Sequence, residues 1–283
     1  MASEKAPSSS KAGSREGDFI RRGHYGSSPL STATFVGLRA LDPILQYHLV
    51  RPDGWGASLL AKLGIATISS GVAVRTGIHA IDALGLSLPR WILLAMAAGS
   101  TAKQILWLTV LSNEEFPLPM AAMVSTYNTV MNTVNTLLFV AAATSSSGVS
   151  AGPLVGIPGT GIMLTLPCAL GALLYAVGIS VETIAEAQRK AFKSRPENKG
   201  QICRVGLWSV ARHVNYAGYA LWRTGFALAS GGWIPAALIM ALQANQLLTS
   251  GVGNLDVYMT ARYGEQWERY KRDVPWKMFP GIF

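Results

Sequence analysis

The chain has 283 residues, half of them hydrophobic, and only 14% are charged. Soluble domains average about 25% charged residues, so the deficit argues against an ordinary water-soluble protein and for lipid as solvent. The net charge of +9 would suit nucleic-acid binding if it were spread over one folded surface, but most of the basic residues here are gathered in three stretches.

Taken in chain order, residues 1–30 are polar and Ser-rich and lack the apolar stretch of a secretory signal. They read as a disordered cytoplasmic tail carrying Lys5, Lys11, Arg15, Arg21 and Arg22. Residues 31–53 hold Phe35, Val36, Leu38, Leu41, Ile44 and Leu45, interrupted by Arg39, Asp42 and His48. This pattern predicts a short interfacial helix, with membrane entry as the alternative. Residues 57–77 predict a weak span, its Lys62 and Arg75 placed near the ends where they can snorkel. Residues 90–111, 120–143 and 154–180 predict three more spans. Pro117 and Pro119 separate the first two of these, and a Ser/Gly stretch at 144–152 separates the last two.

Residues 181–212 are polar and basic and read as a loop. Two further apolar stretches follow, 214–231 and 233–252, divided by Gly231 and Gly232. Six spans of roughly 20 residues fit this length. An even number puts both termini and the basic 181–212 segment on the cytoplasmic side, as the positive-inside rule prefers. The predicted fold is an all-α, multi-pass transmembrane bundle with a cytoplasmic C-terminal region. The bilayer is its partner. The two cysteines, Cys168 and Cys203, have no metal-ligand spacing, and neither a metal nor a nucleic acid is expected.

Polar residues inside the predicted spans are candidates for function. Lys103 lies mid-span, where a charge costs a few kcal/mol or more. It faces either a polar substrate atom or a partner on another helix. Asn128, Asn132 and Asn135 stand at i, i+4 and i+7, on one helix face. Such a stripe turns inward, either as helix–helix glue or as the lining of a substrate cavity, with Asn128 and Asn132 as candidate substrate contacts.

The most informative segment is 181–223. Arg189 and Lys193 share a helix face and could clamp a phosphate or form a solvated basic face at the headgroups. Arg212, His213, Asn215 and Tyr216 form a polar cluster where the chain turns apolar again.

The segment GLW-x-x-ARH-x-NY-x-G at 206–218 resembles the C-terminal region of the steroid 5α-reductase and sterol C14-reductase superfamily, most closely its DUF1295-type branch. The loop QRKAFKSRPENKG and the tail ARYGEQWERYKRDVPWKMFPGIF resemble the same superfamily, so the resemblance covers about 181–283. It implies an endoplasmic-reticulum membrane enzyme of lipid metabolism that uses NADPH to reduce a carbon–carbon double bond in a sterol, terpenoid or similar lipophilic substrate. By the same resemblance, 31–180 would supply the substrate cavity and 181–283 the cofactor region. Arg189 and Lys193 would hold phosphates and Trp208 would line the pocket. Arg212, His213, Asn215 and Tyr216 would contact the cofactor at the membrane entrance. Arg262, Tyr263 and Tyr270 would close the pocket from the tail, with Cys203 at a lining position.

Tyr216 and Tyr270 are the candidate catalytic proton donors. Two alternatives remain. One is an S-adenosylmethionine-dependent methyltransferase of the isoprenylcysteine type, which shares the RH-x-x-Y-x-G pattern. The other is a non-catalytic lipid-binding protein. The second draws on Tyr219, which stands where the superfamily carries an acid.

Overall fold

The structure is a computed structural model that describes residues 26–112, 114–148, 151–156, 159 and 161–282. The predicted N-terminal tail, up to residue 25, therefore lies outside the described residues. The helices are α1 (Pro29–Val50), α2 (Trp55–Lys62), α3 (His79–Asp82), α4 (Leu88–Leu106), α5 (Leu118–Val140), α6 (Leu166–Lys193), α7 (Val214–Gly231), α8 (Trp233–Gln246), α9 (Val252–Tyr263) and α10 (Glu265–Asp273). A short antiparallel hairpin, β1 (Leu154–Gly156) with β2 (Met163–Thr165), precedes α6. A π turn at Trp107–Leu111 extends α4, and another at Leu247–Gly251 joins α8 to α9.

Among the described residues, the long helices α1, α4, α5, α6, α7 and α8 alternate in direction. Contacts between α1 and α5 keep a constant separation of 90 positions (Arg39 to Thr129, Asp42 to Asn132, Gln46 to Thr136), so these helices are parallel and in register. The same logic makes α4 parallel to α6, through Met96 to Tyr175 and Lys103 to Glu182. It also makes α5 parallel to α7, through Asn128 to Arg223 and Asn135 to Ser230. The C-terminal ends of α4 and α6 therefore share one end of the bundle with the 194–213 segment and the tail. The segments 63–87 and 141–165 lie at the other end.

The tightest helix pair is α6 with α7. Gly171 and Gly178 on α6 oppose Gly225 and Gly218 on α7. A Cβ at Gly178 would lie 2.4 Å from the Trp222 nitrogen, and one at Gly225 would lie 2.4 Å from the Tyr175 nitrogen. Small residues seven apart on both helices let the backbones touch, the packing mode that favours association where water is absent.

The bundle is polar inside and apolar outside. Arg39, Asp42, Gln46, Asn128, Asn132 and Asn135 are buried, while Leu38, Leu41, Ile44, Val130, Val134, Leu173, Val177 and Leu238 are exposed. That inversion is the distribution expected where the surrounding medium is hydrocarbon and polar groups must find partners within the protein. Two helical stretches, Leu88–Leu111 and Leu166–Lys193, are long and apolar enough to cross a membrane.

Three sequence expectations are corrected. Residues 31–53 do not form a short interfacial helix. Instead α1 is a 22-residue bundle helix, because its interrupting polar residues find partners on α5. Residues 57–77 are not a span: the helix stops at Lys62, and Gly64, Gly71 and Gly77 take left-handed φ values of 71°, 70° and 80°. The chain there runs extended, bridging Thr67 to Ala141 and Ala73 to Ser87, as its β-branched residues prefer. The Arg90 guanidinium at the head of α4 holds it by donating to the Val50 and Ser69 carbonyls. Finally, the helix predicted over 154–180 begins at Leu166, with Pro167 in its first turn, where proline is tolerated. It then runs on to Lys193, so the expected 181–212 loop is helical up to that residue.

Candidate functional site

The extension of α6 beyond Ser180 carries the candidate site. Helical spacing puts Glu182, Glu186, Arg189 and Lys193 along one side. Glu186 is buried, with its carboxylate accepting from Asn215 Nδ2 at 2.8 Å and from Arg189 at 2.5 Å. It thus ties the first turn of α7 to the end of α6. The Arg189 guanidinium also lies 5.7 Å from the Trp208 ring centroid. Trp208 is buried, and its indole N–H donates to the Ala185 carbonyl at 2.7 Å.

One turn further on, the Lys193 ammonium donates to the Gln201 carbonyl and to the Tyr263 hydroxyl at 3.0 Å. It lies 5.0 Å from the centre of the Tyr263 ring, and the Arg262 guanidinium lies 5.7 Å from the same ring. The predicted residues Arg189, Lys193, Trp208, Arg262 and Tyr263 thus meet where α6 ends against α9. Beside them, a cleft of about 210 Å³ is lined by Gln188, Ala191, Phe192, Arg195, Val205 and Gly206. A side chain at Gly206, whose φ is 59°, would overlap Gln188. Cys203 is buried nearby, and burial pushes its thiol up against the opposing pull of Lys193 and Arg189. It is therefore a protonated wall rather than a nucleophile.

A second group of predicted residues builds the scaffold under the tail. Arg212 is buried, and its Nη1 donates to the carbonyls of Val274 at 2.6 Å, Pro275 at 3.1 Å and Lys271 at 3.3 Å. Its backbone N–H and that of His213 donate to the Trp276 and Lys277 carbonyls. The tail is thus laid along 212–213 like a strand. His213 is 1% exposed and stacks on Tyr216 at 5.5 Å, tilted by 13°. Burial, then the Arg212 charge, push the His213 imidazole down to about 4, so it is neutral at physiological pH. The Tyr270 hydroxyl donates to the Trp208 carbonyl, and burial pushes its pKa upward. Tyr216 and Tyr270, the two predicted proton donors, are separated by His213 and Trp267, which make edge contacts. Tyr216 packs with Ala217, Leu247, Met278 and Phe279, and Tyr270 lies in the tail cluster with Ile202, Trp267 and Val274.

The predicted substrate contacts sit deeper. The Lys103 ammonium pairs with Glu182, which also accepts from the Trp222 indole N–H at 2.7 Å. Asn128 Oδ1 accepts from Gln104 Nε2 at 2.7 Å and from Arg223 Nη2. Asn132 Nδ2 donates to Asp42 at 2.6 Å. Tyr219, at the position where an acid is expected, takes an N–H from Arg223 at 3.2 Å and stands edge-on to Trp222.

Sequence reasoning passed over Arg39, Asp42, Glu182, Glu186 and Arg223. The signal for the glutamates was present, since VETIAEAQRK spaces them four apart. Arg223 was hidden in an apolar run, where a single charge reads as an interruption.

Residues 120–274 match the model of DUF1295, a protein family of unknown function. The chain is 38% identical over 263 residues to a probable O-methyltransferase of Ustilaginoidea virens, a match spanning 93% of the chain and 89% of that relative. It is 27% identical over 133 residues to a Delta(14)-sterol reductase of Arabidopsis thaliana, spanning 43% of the chain and 36% of the relative. It is 25% identical over 146 residues to a 7-dehydrocholesterol reductase of Danio rerio, spanning 43% and 30%. The chain thus covers about a third of the length of these reductases. No solved structure matches. With its C-terminal half matched to the family model and nearly its whole length aligned to an enzyme relative, the chain belongs to the DUF1295 family of steroid-reductase-like proteins.

Proposed function

We infer that this protein is an integral, multi-pass membrane enzyme, with the endoplasmic reticulum as its compartment and both termini cytoplasmic. It reduces a carbon–carbon double bond of a lipophilic substrate with NADPH. The observation that carries this reading is the convergence of Arg189, Lys193 and Arg262 on the Trp208 and Tyr263 rings. Several cations set against aromatic faces fit a ligand with several phosphates and flat rings. S-adenosylmethionine, with one carboxylate, asks for fewer. The similarity to sterol reductases supports the same reading.

NADPH, when bound, supplies a hydride. In this reading Arg189, Lys193 and Arg262 hold its phosphates. Trp208 and Tyr263 flank its rings. Asn215, fixed by Glu186, marks the entrance to the bundle. Arg212 and His213 position the tail that closes over the cofactor, with Tyr270 locking it to Trp208. Tyr216, at the start of α7, holds the proton for the substrate. The helices before 181 enclose the substrate and exclude water.

A second reading is methyl transfer from S-adenosylmethionine to an oxygen of such a substrate. The observation favouring it is the probable O-methyltransferase, the relative that matches the membrane half as well.

Calorimetric titration of the purified full chain with NADPH, NADH and S-adenosylmethionine separates the two. Micromolar NADPH binding that Arg189→Ala with Lys193→Ala removes supports the reductase. Binding of S-adenosylmethionine without NADPH binding overturns it in favour of methyl transfer. Binding of neither cofactor leaves a lipid-binding protein.

A further inference from the structure

The middle of the bundle contains an unbalanced charge. Among the described residues, Arg39 is paired with Asp42 at 3.2 Å and Lys103 with Glu182. Arg223, on α7, is 3% exposed and has no carboxylate partner among them. Its Nη2 donates to Asn128 Oδ1 and its Nε to the Tyr219 hydroxyl. Its Nη1 is buried with no hydrogen-bond partner among the described residues, as are Gln104 Oε1 and Ser125 Oγ. Asn128 Oδ1 already accepts from Gln104 as well, and the two oxygens that Arg223 does reach, an amide and a phenol, are neutral, so its charge is uncompensated. A guanidinium keeps its proton under any accessible condition. In a low-dielectric interior it therefore asks for an anion.

The surroundings define what that anion is attached to. Aromatic rings enclose the guanidinium: Trp222 at 4.4 Å, Tyr219 at 5.3 Å and Tyr127 at 5.3 Å from centroid to carbon. Tyr127 is 38% exposed on the outer face of α5. One ring therefore separates the buried cation from the lipid-facing surface, on a side where α8 packs along α7 rather than against α5. A molecule entering there comes from the membrane and brings an apolar body with it.

We propose that Arg223 receives the anionic oxygen of an apolar ligand, a carboxylate, phenolate or enolate on a lipophilic skeleton, admitted past Tyr127 from the bilayer. The proposal rests on reading the bundle as the substrate side of the enzyme. It deepens that reading by making the substrate class a lipophilic anion rather than a neutral lipid. A reductase acts on a double bond elsewhere in the skeleton of such an anion, and a carboxylate or phenolate serves an O-methyltransferase, so the site stands with either cofactor.

The test uses the full chain in nanodiscs of phosphatidylcholine and 2-bromohexadecanoate, whose bromine, on the carbon beside the carboxylate, quenches tryptophan. Trp222 is the reporter beside the guanidinium. At about pH 8.5 the carboxyl is ionised. The acid is expected to quench saturably, and its methyl ester, which partitions into the same bilayer, roughly tenfold more weakly. Arg223→Gln should reduce the acid to the level of the ester. Arg223→Lys, which keeps the charge, should preserve the preference for the acid. Circular dichroism of each variant reports folding. Should Arg223→Gln fail to fold, the acid–ester difference in the native chain together with that in Arg223→Lys decides. Equal quenching by acid and ester, no saturable quenching by the acid, or full acid binding in a folded Arg223→Gln overturns the proposal. Cofactor titrations are read separately, so loss of the reductase reading leaves this result interpretable.

Discussion

Asp42 on α1 and Asn132 on α5 are joined by a hydrogen bond of 2.6 Å, and the same Asp42 oxygen lies 3.2 Å from the Arg39 guanidinium. Gln46 adds a further donor to Asp42 at 2.9 Å, and its own carbonyl accepts from Thr136. This network fixes the register of α1 on α5. It also explains why a helix interrupted by charges is a core element of the bundle.

Removing that carboxylate leaves Arg39 buried without its counter-charge. Asp42→Ala is expected to destabilise the folded bundle by about 3–5 kcal/mol. Asp42→Asn, which keeps the shape and one acceptor, should cost less. Thermal unfolding of the detergent-solubilised variants measures the difference. Equal melting of Asp42→Ala and the native protein would show that the pair is not buried as described.

The α6–α7 contact makes a steric prediction. A methyl at Gly178 would meet the Trp222 backbone nitrogen at 2.4 Å and the Gly218 carbonyl at 2.7 Å. Backbone cannot rotate away as a side chain can, so Gly178→Ala must push the helices apart. Overpacking of this kind costs roughly 1–3 kcal/mol. Loss of thermal stability should be accompanied by loosening of the Lys103–Glu182 pair, seen as faster hydrogen exchange along α6. Gly37, where nothing lies within 4 Å of an added Cβ, is the control, and Gly37→Ala should be neutral.

His213 gives a pH prediction with a defined sign. Its folded value, about 4, lies below the ordinary 6.5 because of burial and then Arg212, with Lys277 acting in the same direction and Asp256 opposing. The unfolded state binds the proton more tightly, so the neutral imidazole's contribution is fully present above pH 6.5. It is lost as pH falls from there toward 4. Its full size is about 3 kcal/mol. His213→Gln should flatten the stability profile across that window. An unchanged acid limb in the variant would assign the acid sensitivity to other groups.

Arg212 tests the tail. Three carbonyls converge on one of its nitrogens, and a planar guanidinium serves them better than a flexible ammonium. Arg212→Ala should detach the segment after Val274, seen as limited proteolysis there at low protease concentration. Arg212→Lys should restore protection only in part. The same variants should weaken cofactor binding without altering binding of the anionic lipid probe, since the two sites lie at different depths.

The helical parts of the sequence were legible where periodicity and length agreed. Residues 118–140 form α5 because apolar residues surround an asparagine stripe, and the stripe faces inward as its spacing required. Residues 57–77 misled because hydropathy measures composition, whereas Gly64, Gly71 and Gly77 set the backbone. The basic residues after 188 could be read as a group, yet their division of labour could not. Arg189 and Lys193 face the aromatic cluster, while Arg212 is turned inward to the tail carbonyls.

By itself the sequence determined a mostly helical chain poor in charge, with most of its cations gathered in three stretches and a reductase-like C-terminal pattern. Those properties follow from local composition and spacing, which solvent and backbone preferences read directly. Only the tertiary structure decided which charges neutralise one another. Lys103 with Glu182 is an ion pair between helices, seventy-nine residues apart, and Asp42, the local partner of Arg39, is itself held from α5 by Asn132. The physical reason is that buried charge is balanced across helix interfaces. Register between helices settles which partner most of these groups meet, and leaves Arg223 without an anion among the described residues.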